Sequence, residues 1–249
     1  MKRWRLVFVY FALLATSANA DDNNFQIRLV YADTWKPISY SENGKVKGLL
    51  PQAIDRILSD HPGVTIEHIA VPWARAQIMV KNGKADGMIT TPTAERLQYT
   101  LRSENNIVLL PFVLATNKNS KRLNELDDVD NLKPVAGKIF CDVLGNGWAE
   151  NYYKDKPVVV RIAPTIKECL RMLSVNRVDG IVHAHPVLDM YVNELGLQYN
   201  IRIHTSPSLL SPTFPLLISK KNSKAKEILT SFDKHFLEDH TTIYLVPNN

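Results

Sequence analysis

The feature that most constrains the fold of this chain is a regular alternation of short apolar strand patterns with amphipathic helix patterns. One alternating set, in the order strand, helix, strand, helix, strand, runs through residues 27–89, and a second set runs through residues 138–204. Strands joined by crossing helices favour a mainly parallel sheet, because each helix carries the chain back to the starting edge. The sequence therefore predicts an α/β protein with helices flanking its sheets.

A change in composition separates the two sets. The chain becomes polar and charged at residues 117–130, and a proline-punctuated run at 206–215 precedes one last apolar strand and one helix. A strand and a helix are too little for a third domain, so we expect them to complete the first lobe, with a hinge near Thr116 and Pro212. The expected organisation is a first lobe from residues 21–116 and 213–249 and a second lobe from residues 117–212.

The N-terminal segment has the three parts of a secretory signal. Lys2, Arg3 and Arg5 precede an apolar run at residues 6–15, and Ala18-Asn19-Ala20 supplies small residues for cleavage. An uncleaved anchor is the alternative, but the run is shorter than the roughly 20 residues that a membrane span needs. We expect cleavage after Ala20 and a monomeric mature protein in the periplasm.

Charge argues against a nucleic-acid partner. Loss of residues 1–20 lowers the Lys and Arg count from 30 to 27 against 25 acidic residues, so the formal net charge falls from +5 to +2. The remaining chain has no block of basic residues interleaved with aromatic ones, which is the usual footprint of nucleic-acid binding. The expected partner is instead a small molecule.

The two cysteines, Cys141 and Cys169, have two interpretations. An oxidising compartment permits a disulfide between them. However, Cys141 alternates with apolar residues on a predicted strand and Cys169 lies on the apolar face of a predicted helix, so both also fit as small core residues. We favour two buried thiols over a bridge.

The segment Asp86–Ser103 has the features of a ligand-binding turn. A short apolar strand is followed by Thr90 and Thr91 and then by a capped helical turn that contains Arg96. Open α/β sheets bind ligands beyond the carboxyl ends of their strands. We interpret Arg96 as a two-pronged clamp for a carboxylate, and the alternative is a surface arginine beside a helix start.

Short motifs along the mature chain resemble those of the family 3 extracellular solute-binding proteins, the polar amino-acid receptors of bacterial ABC importers. The matching motifs are Asp33-Thr34-Trp35-Lys36-Pro37, Gly48, Gly83-Lys84-Ala85-Asp86-Gly87, Thr93-Ala94-Glu95-Arg96, Ala136-Gly137-Lys138, Gly145-Asn146-Gly147 and Arg177-Val178-Asp179-Gly180. Each motif alone is weak evidence for this family, whereas the order and spacing of all of them together are specific to it. The resemblance implies a two-lobed type II periplasmic binding fold with two hinge strands and a ligand closed into the cleft.

The resemblance also implies binding residues and a partner. Arg96 would hold a ligand carboxylate, two tryptophans would form apolar walls, and the turn before Trp148 would present backbone N–H groups. These N–H groups would lie at a helix N-terminus, which attracts anions. The alternative for either tryptophan is that it is a half-buried core residue and not part of a cleft wall. The expected binding residues are Arg96, Thr90, Thr91, Trp35, Trp73, Asn146 and Gly147. The implied partner is an inner-membrane ABC permease, and no cofactor is implied.

The chain departs from the family pattern after Asp179. Amino-acid receptors usually place an acid there for the ligand ammonium, whereas this chain has Ala184 between His183 and His185. Either histidine could offer a neutral hydrogen-bonding group instead, or serve a structural role at a strand end or helix cap. Asp33 is a candidate ammonium partner. Pro186 and the lack of further ligands argue against a metal site at the two histidines.

Three function classes fit this pattern. The first is a receptor that captures a small carboxylate-bearing solute, such as an amino acid or a related organic acid, for ABC-type uptake. The second is a binding component that feeds a sensor or chemoreceptor, and the third is an enzyme on the same scaffold. The expected cleft contains no nucleophile–base pair and no paired carboxylates, so we expect no catalytic residues.

Overall fold

The computed structural model describes residues 25–58, 64–120, 136–204, 212–239 and 243–244. The expected cleavage site after Ala20 lies outside these residues, as does most of the polar segment 117–130. Within the described part of the chain, no helix is both long and apolar enough to cross a membrane.

A six-stranded sheet forms the centre of the first lobe. Its strands are β1 (Phe25–Ala32), β5 (Val64–Val71), β6 (Gly87–Ile89), β7 (Thr100–Leu109), β13 (Thr213–Ser219) and β14 (Ile243–Tyr244). Their order across the sheet is β14-β7-β13-β6-β1-β5. β1 pairs in parallel with β5 and β6, whereas β13 runs antiparallel to β6 and β7. The last strand and helix thus return to the first lobe.

A five-stranded sheet forms the centre of the second lobe. Its strands are β8 (Phe112–Asn117), β9 (Ile139–Val143), β10 (Val159–Ala163), β11 (Gly180–Ala184) and β12 (Ile201–His204). Their order is β10-β9-β11-β8-β12, with β9 parallel to both of its neighbours and β8 antiparallel to both of its own. The parallel pairs are those joined by crossing helices, as the alternation predicts.

Seven helices lie in the described part of the chain. They are α1 (Leu49–Leu58), α2 (Trp73–Lys81), α3 (Ala94–Tyr99), α4 (Gly147–Tyr153), α5 (Ile166–Ser174), α6 (His185–Glu194) and α7 (Ala225–Asp239). Local chemistry sets several of the starts. The Thr93 hydroxyl accepts the backbone N–H of Arg96 at the start of α3, and Pro186 occupies the first turn of α6, where a missing N–H is tolerated.

A small three-stranded sheet was not predicted. It consists of β2 (Thr34–Trp35), β3 (Ser39–Glu42) and β4 (Lys45–Lys47). Asn43 and Gly44 have φ values of 51° and 72°, the left-handed pair that closes a tight hairpin between β3 and β4. The Asn-Gly dipeptide was therefore a hairpin signal, but the strands beside it are too short and polar to stand out.

The chain passes from the first sheet to the second at Leu110 and Pro111, between β7 and β8. Thr116, expected to mark the boundary, lies within β8 and pairs with both Gly180 and Arg202. β7 and β8 are thus consecutive strands that belong to two different sheets. Pro111 separates them because proline has no N–H with which to continue a ladder.

Cys141 and Cys169 form a disulfide, with their Cα atoms 5.5 Å apart, so the expectation of two buried thiols is wrong. Cys141 lies on β9 and Cys169 on the apolar face of α5, and both side chains are buried. The burial that marked them as core residues also brings them together when α5 packs on the sheet. Periodicity predicts which face is buried, but not the distance between two buried residues.

We predict that the double variant Cys141→Ala/Cys169→Ala loses about 2–4 kcal/mol of free energy of unfolding, because the bridge restricts the unfolded chain. Urea unfolding of parent and variant measures the difference. The free energy of unfolding of the parent in excess reductant should equal that of the variant. A variant within about 0.5 kcal/mol of the oxidised parent, the usual scatter of neutral substitutions, would contradict the prediction.

Candidate functional site

A cavity of about 330 Å³ lies between the two sheets. The first lobe contributes the loop after β1, the start of α2 and the end of β6, and the second lobe contributes the loop after β9, the start of α5 and His183 of β11. Small-molecule sites commonly have volumes of about 300–1,000 Å³. The cavity is therefore large enough for one small solute that contacts both lobes.

Most of the predicted site residues line this cavity. They are Asp33, Trp35, Trp73, Thr90, Thr91, Asn146 and His183. Arg96 and Gly147 line a smaller neighbouring pocket of about 200 Å³ instead. His185 is the first residue of α6 and belongs to neither lining. Among the described residues, no group of three or more His, Cys, Asp or Glu side chains is placed to hold a metal ion.

Aromatic rings from both lobes form one wall of the cavity. The ring centroids of Trp35 and Phe214 are 5.6 Å apart, and that of Phe112 lies 4.5 Å from Trp148 and 5.6 Å from His183. Sequence reasoning did not identify Phe112, Phe214 or Trp148 as wall residues. Phe112 and Phe214 lie at the starts of β8 and β13, where the chain passes from one lobe to the other. Their position at these connections between the lobes was the feature of the sequence that could have identified them.

One backbone carbonyl joins the two lobes beside the cavity. The Gly145 oxygen of the second lobe accepts hydrogen bonds from first-lobe side chains. The donors are Trp73 Nε1 at 2.9 Å, Gln77 Nε2 at 3.0 Å and Arg96 Nη2 at 3.2 Å. Gly145 has a φ of +79°, and a Cβ there would lie 2.7 Å from Gln77 Nε2, so this close contact requires glycine. We call this set of three hydrogen bonds the Gly145 junction.

A second link between the lobes comes from Tyr191 of α6. Its hydroxyl donates to the Thr34 carbonyl oxygen at 2.6 Å and accepts from the Lys36 backbone N–H at 3.2 Å. The loop after β1 is thus fastened to the second lobe through one carbonyl oxygen and one N–H group.

The turn before α4 uses its own N–H groups. The Asn146 N–H donates to the Val143 oxygen at 3.2 Å, and the Gly147 N–H donates to the Gly145 oxygen at 3.0 Å. These two donors are therefore already engaged within the loop. Asn146 lines the cavity, and its side-chain amide donates to Asp142 Oδ1 at 2.9 Å.

Arg96 is only 2% exposed, so the alternative of a surface arginine is wrong. Each of its three side-chain nitrogens donates to the protein: Nε to Gln77 Oε1 at 3.0 Å, Nη1 to the Thr91 carbonyl oxygen at 2.9 Å and to Thr91 Oγ1 at 2.7 Å, and Nη2 to Gly145. Burial lowers the pKa of the guanidinium. Thr91 and Trp73 contact Arg96 and also line the cavity, whereas Arg96 itself is not among the residues that line it.

A sequence model of the bacterial extracellular solute-binding proteins, family 3, matches residues 27–243. The chain belongs to this family. The match spans both lobes of the solute-binding protein and confirms the resemblance. No curated protein matches the chain in sequence.

Solved structures share the two-lobed fold of this solute-binding protein. A histidine kinase sensor domain with similarity to periplasmic binding proteins has a TM-score of 0.72 at 16% identity, covering 88% of this chain and 92% of that one. A structure from work on glutathione import through GshT and the cystine ABC importer TcyBC of Streptococcus mutans has a TM-score of 0.68 at 19% identity, with coverages of 87% and 91%. An ancestral arginine-binding protein bound to arginine has a TM-score of 0.67 at 23% identity, with coverages of 86% and 92%. At these identities the likeness shows the fold alone.

Two buried titratable groups of the solute-binding protein lie near the cavity. Burial raises the pKa of Asp142 to about 7, although hydrogen bonds from the Asn146 side chain and the Val143 N–H oppose the shift. Burial lowers the pKa of His183 to about 4, so its ring is neutral at ordinary pH. Asp142 was not predicted as a site residue, and it matters here because it holds the side chain of Asn146.

These opposite shifts predict opposite pH effects on stability. Asp142 keeps a proton in the folded state that the unfolded state loses above its ordinary pKa of 3.8, so its contribution falls as pH rises from about 4 to about 7. His183 stays neutral where the unfolded ring binds a proton, so its contribution falls as pH drops from 6.5 to about 4. Each effect amounts to at most about 1.4 kcal/mol per pH unit.

Urea unfolding between pH 4 and pH 8 measures both effects. Relative to the parent, Asp142→Asn should gain stability as pH rises through its window, and His183→Asn should lose less stability on acidification. Asp189→Asn, which changes an exposed acid on α6, is the control and should follow the parent. Variant curves parallel to the parent curve would show that neither group titrates as described.

We further predict that Arg96→Ala lowers the free energy of unfolding by at least about 1–3 kcal/mol, because it leaves the buried acceptors of Thr91 and Gln77 without a donor. Arg75→Ala, a change of an exposed arginine on α2, should stay within about 0.5 kcal/mol of the parent. Chemical denaturation measures both variants. Equal stability of the two would mean that the hydrogen bonds of Arg96 do not support the fold.

Proposed function

We propose that this protein is a periplasmic receptor that encloses one small solute between its lobes and delivers it to an inner-membrane ABC permease. The observation that carries the proposal is the Gly145 junction, which fastens the second lobe to the first beside a cavity lined by both. A solute in this cavity touches both lobes, so its binding favours their closed arrangement. Capture and closure are then one event that a permease can recognise.

Sensing is the second candidate, because a histidine kinase sensor domain shares the two-lobed fold over 88% of this chain. The same cavity and the same closing contact serve either role. Deletion of the gene separates the two. Loss of uptake of the labelled solute indicates import, whereas normal uptake with a lost transcriptional or chemotactic response indicates sensing.

The expectation of a carboxylate-bearing solute depended on Arg96. Because Arg96 donates to Thr91, Gln77 and Gly145, we propose that it fastens the closed arrangement rather than gripping the solute. The family and its structural relatives are binding proteins, which supports binding without catalysis.

A test of this proposal compares two glycine variants. Gly145→Ala should displace the Gln77 amide and weaken the closed arrangement, whereas Gly196→Ala places a methyl group at a similar φ of +65° with nothing within 4 Å. Loss of about one hydrogen bond corresponds to 0.5–1.5 kcal/mol, or roughly a twofold to tenfold loss of affinity. We expect this loss in Gly145→Ala alone.

The measurement begins with a thermal-shift screen of amino acids, organic acids and amines, because a solute that binds only the folded protein raises its melting temperature. Small-angle scattering with a saturating binder should then show compaction of the parent and less compaction of Gly145→Ala. A screen without any binder, or a binder that leaves the scattering unchanged, would contradict the receptor proposal.

A further inference from the structure

In the described part of the chain, the lining of the cavity carries negative charge without positive charge. Among the described residues that line it, Asp33 is the only one with a charged side chain. Its backbone is fixed by hydrogen bonds, since its N–H donates to the Val71 oxygen at 3.2 Å and its carbonyl accepts from the Ser41 N–H at 3.0 Å. No described residue forms a hydrogen bond or an ion pair with the Asp33 carboxylate. A fixed loop thus presents an unpartnered negative charge.

The position of this charge is at the meeting of the two lobes. Burial is the main reason that the pKa of Tyr191 is raised, and the charges of Glu194 and then Asp33 add to the effect. Tyr191 belongs to the second lobe and bonds to the loop that carries Asp33. The carboxylate therefore lies on the loop through which the first lobe contacts Tyr191 of the second.

The walls near this charge favour a cation. Trp35, Trp73 and Trp148 line the cavity from both lobes. The face of an indole ring carries partial negative charge and attracts ammonium groups, and the attraction grows when water is excluded. An acid together with aromatic faces is a suitable environment for an organic ammonium group.

The same walls disfavour an anion. Arg96 is not among the residues that line the cavity, and it donates to protein acceptors through all three nitrogens. His183 is buried and neutral. A carboxylate that enters the cavity would lose its hydration without gaining a cationic partner, which is costly in an apolar site.

We infer that the solute is an organic cation with an apolar or aromatic body and no free carboxylate, bound with its ammonium group toward Asp33 and its body against the indole rings. This inference rests on the proposed receptor function and narrows its solute class. It also places the solute outside the polar amino acids that the family resemblance implies.

A series of compounds with one apolar body and different polar groups tests the inference by calorimetric titration. The probes are 2-phenylethylamine, 2-phenylethanol, 3-phenylpropionate and L-phenylalanine. The amine should bind most tightly, the alcohol more weakly, and the two carboxylate-bearing compounds at least tenfold more weakly than the amine. The amine is held by charge and ring contacts together, whereas the alcohol has only the ring contacts.

Asp33→Asn separates these two contributions. The variant should lose at least tenfold in affinity for 2-phenylethylamine and keep its affinity for 2-phenylethanol, and Asp189→Asn should bind both as the parent does. Circular dichroism checks that the variants are folded. If Asp33→Asn does not fold, the ranking of the four probes by the parent still decides the question.

Two results would overturn the inference and leave the receptor function standing. One is tighter binding of 3-phenylpropionate or L-phenylalanine than of the amine, and the other is unchanged amine binding by a folded Asp33→Asn. Failure of the amine to bind, when another compound of the general screen does bind, would likewise overturn the inference alone. Absence of any binder in the general screen would remove the receptor function as well.

Discussion

The arrangement of the two lobes depends chiefly on the carbonyl oxygen of Gly145, which accepts three side-chain hydrogen bonds from the first lobe. Trp73, Gln77 and Arg96 come from two helices of the first lobe, and they meet this oxygen only when the loop after β9 lies against them. The loop reaches that position because Gly145 adopts a left-handed conformation and has no side chain to displace Gln77. The cavity is enclosed because this contact and that of Tyr191 hold its two walls together.

The buried guanidinium of Arg96 gives the junction its energetic importance. A buried charge needs hydrogen-bond partners to offset its lost hydration, and Arg96 finds them in the neutral oxygens of Thr91, Gln77 and Gly145. Separation of the lobes, which the proposed function requires, would remove the Gly145 oxygen from Arg96 and leave water to replace it. The hydrogen bond from Arg96 to Gly145 therefore stabilises the arrangement in which the two lobes are in contact. Asp33, which lines the cavity, then determines the charge of the cavity.

The sequence predicted the elements of this fold more completely than their contacts. Strand and helix periodicity identified the alternating sets, because burial of one face leaves a local pattern. The C-terminal strand and helix were placed with the first lobe because they are too small to form a domain of their own. The distance between Cys141 and Cys169 leaves no such pattern. The sequence near Arg96 likewise does not indicate whether its guanidinium bonds to a ligand or to Gly145. The roles of Phe112, Phe214 and Trp148 depend on how two sheets face each other, which no local window of sequence contains.

The most direct test of the central claim is the distance between the lobes with and without Arg96. Nitroxide labels at Leu237 of the first lobe and Tyr199 of the second, both exposed, permit a pulsed electron resonance measurement, because the native cysteines are joined in a disulfide. The account predicts that the parent has a population at the separation of the closed arrangement and that Arg96→Ala shifts this population to a different separation. Identical distance distributions for parent and variant would contradict it.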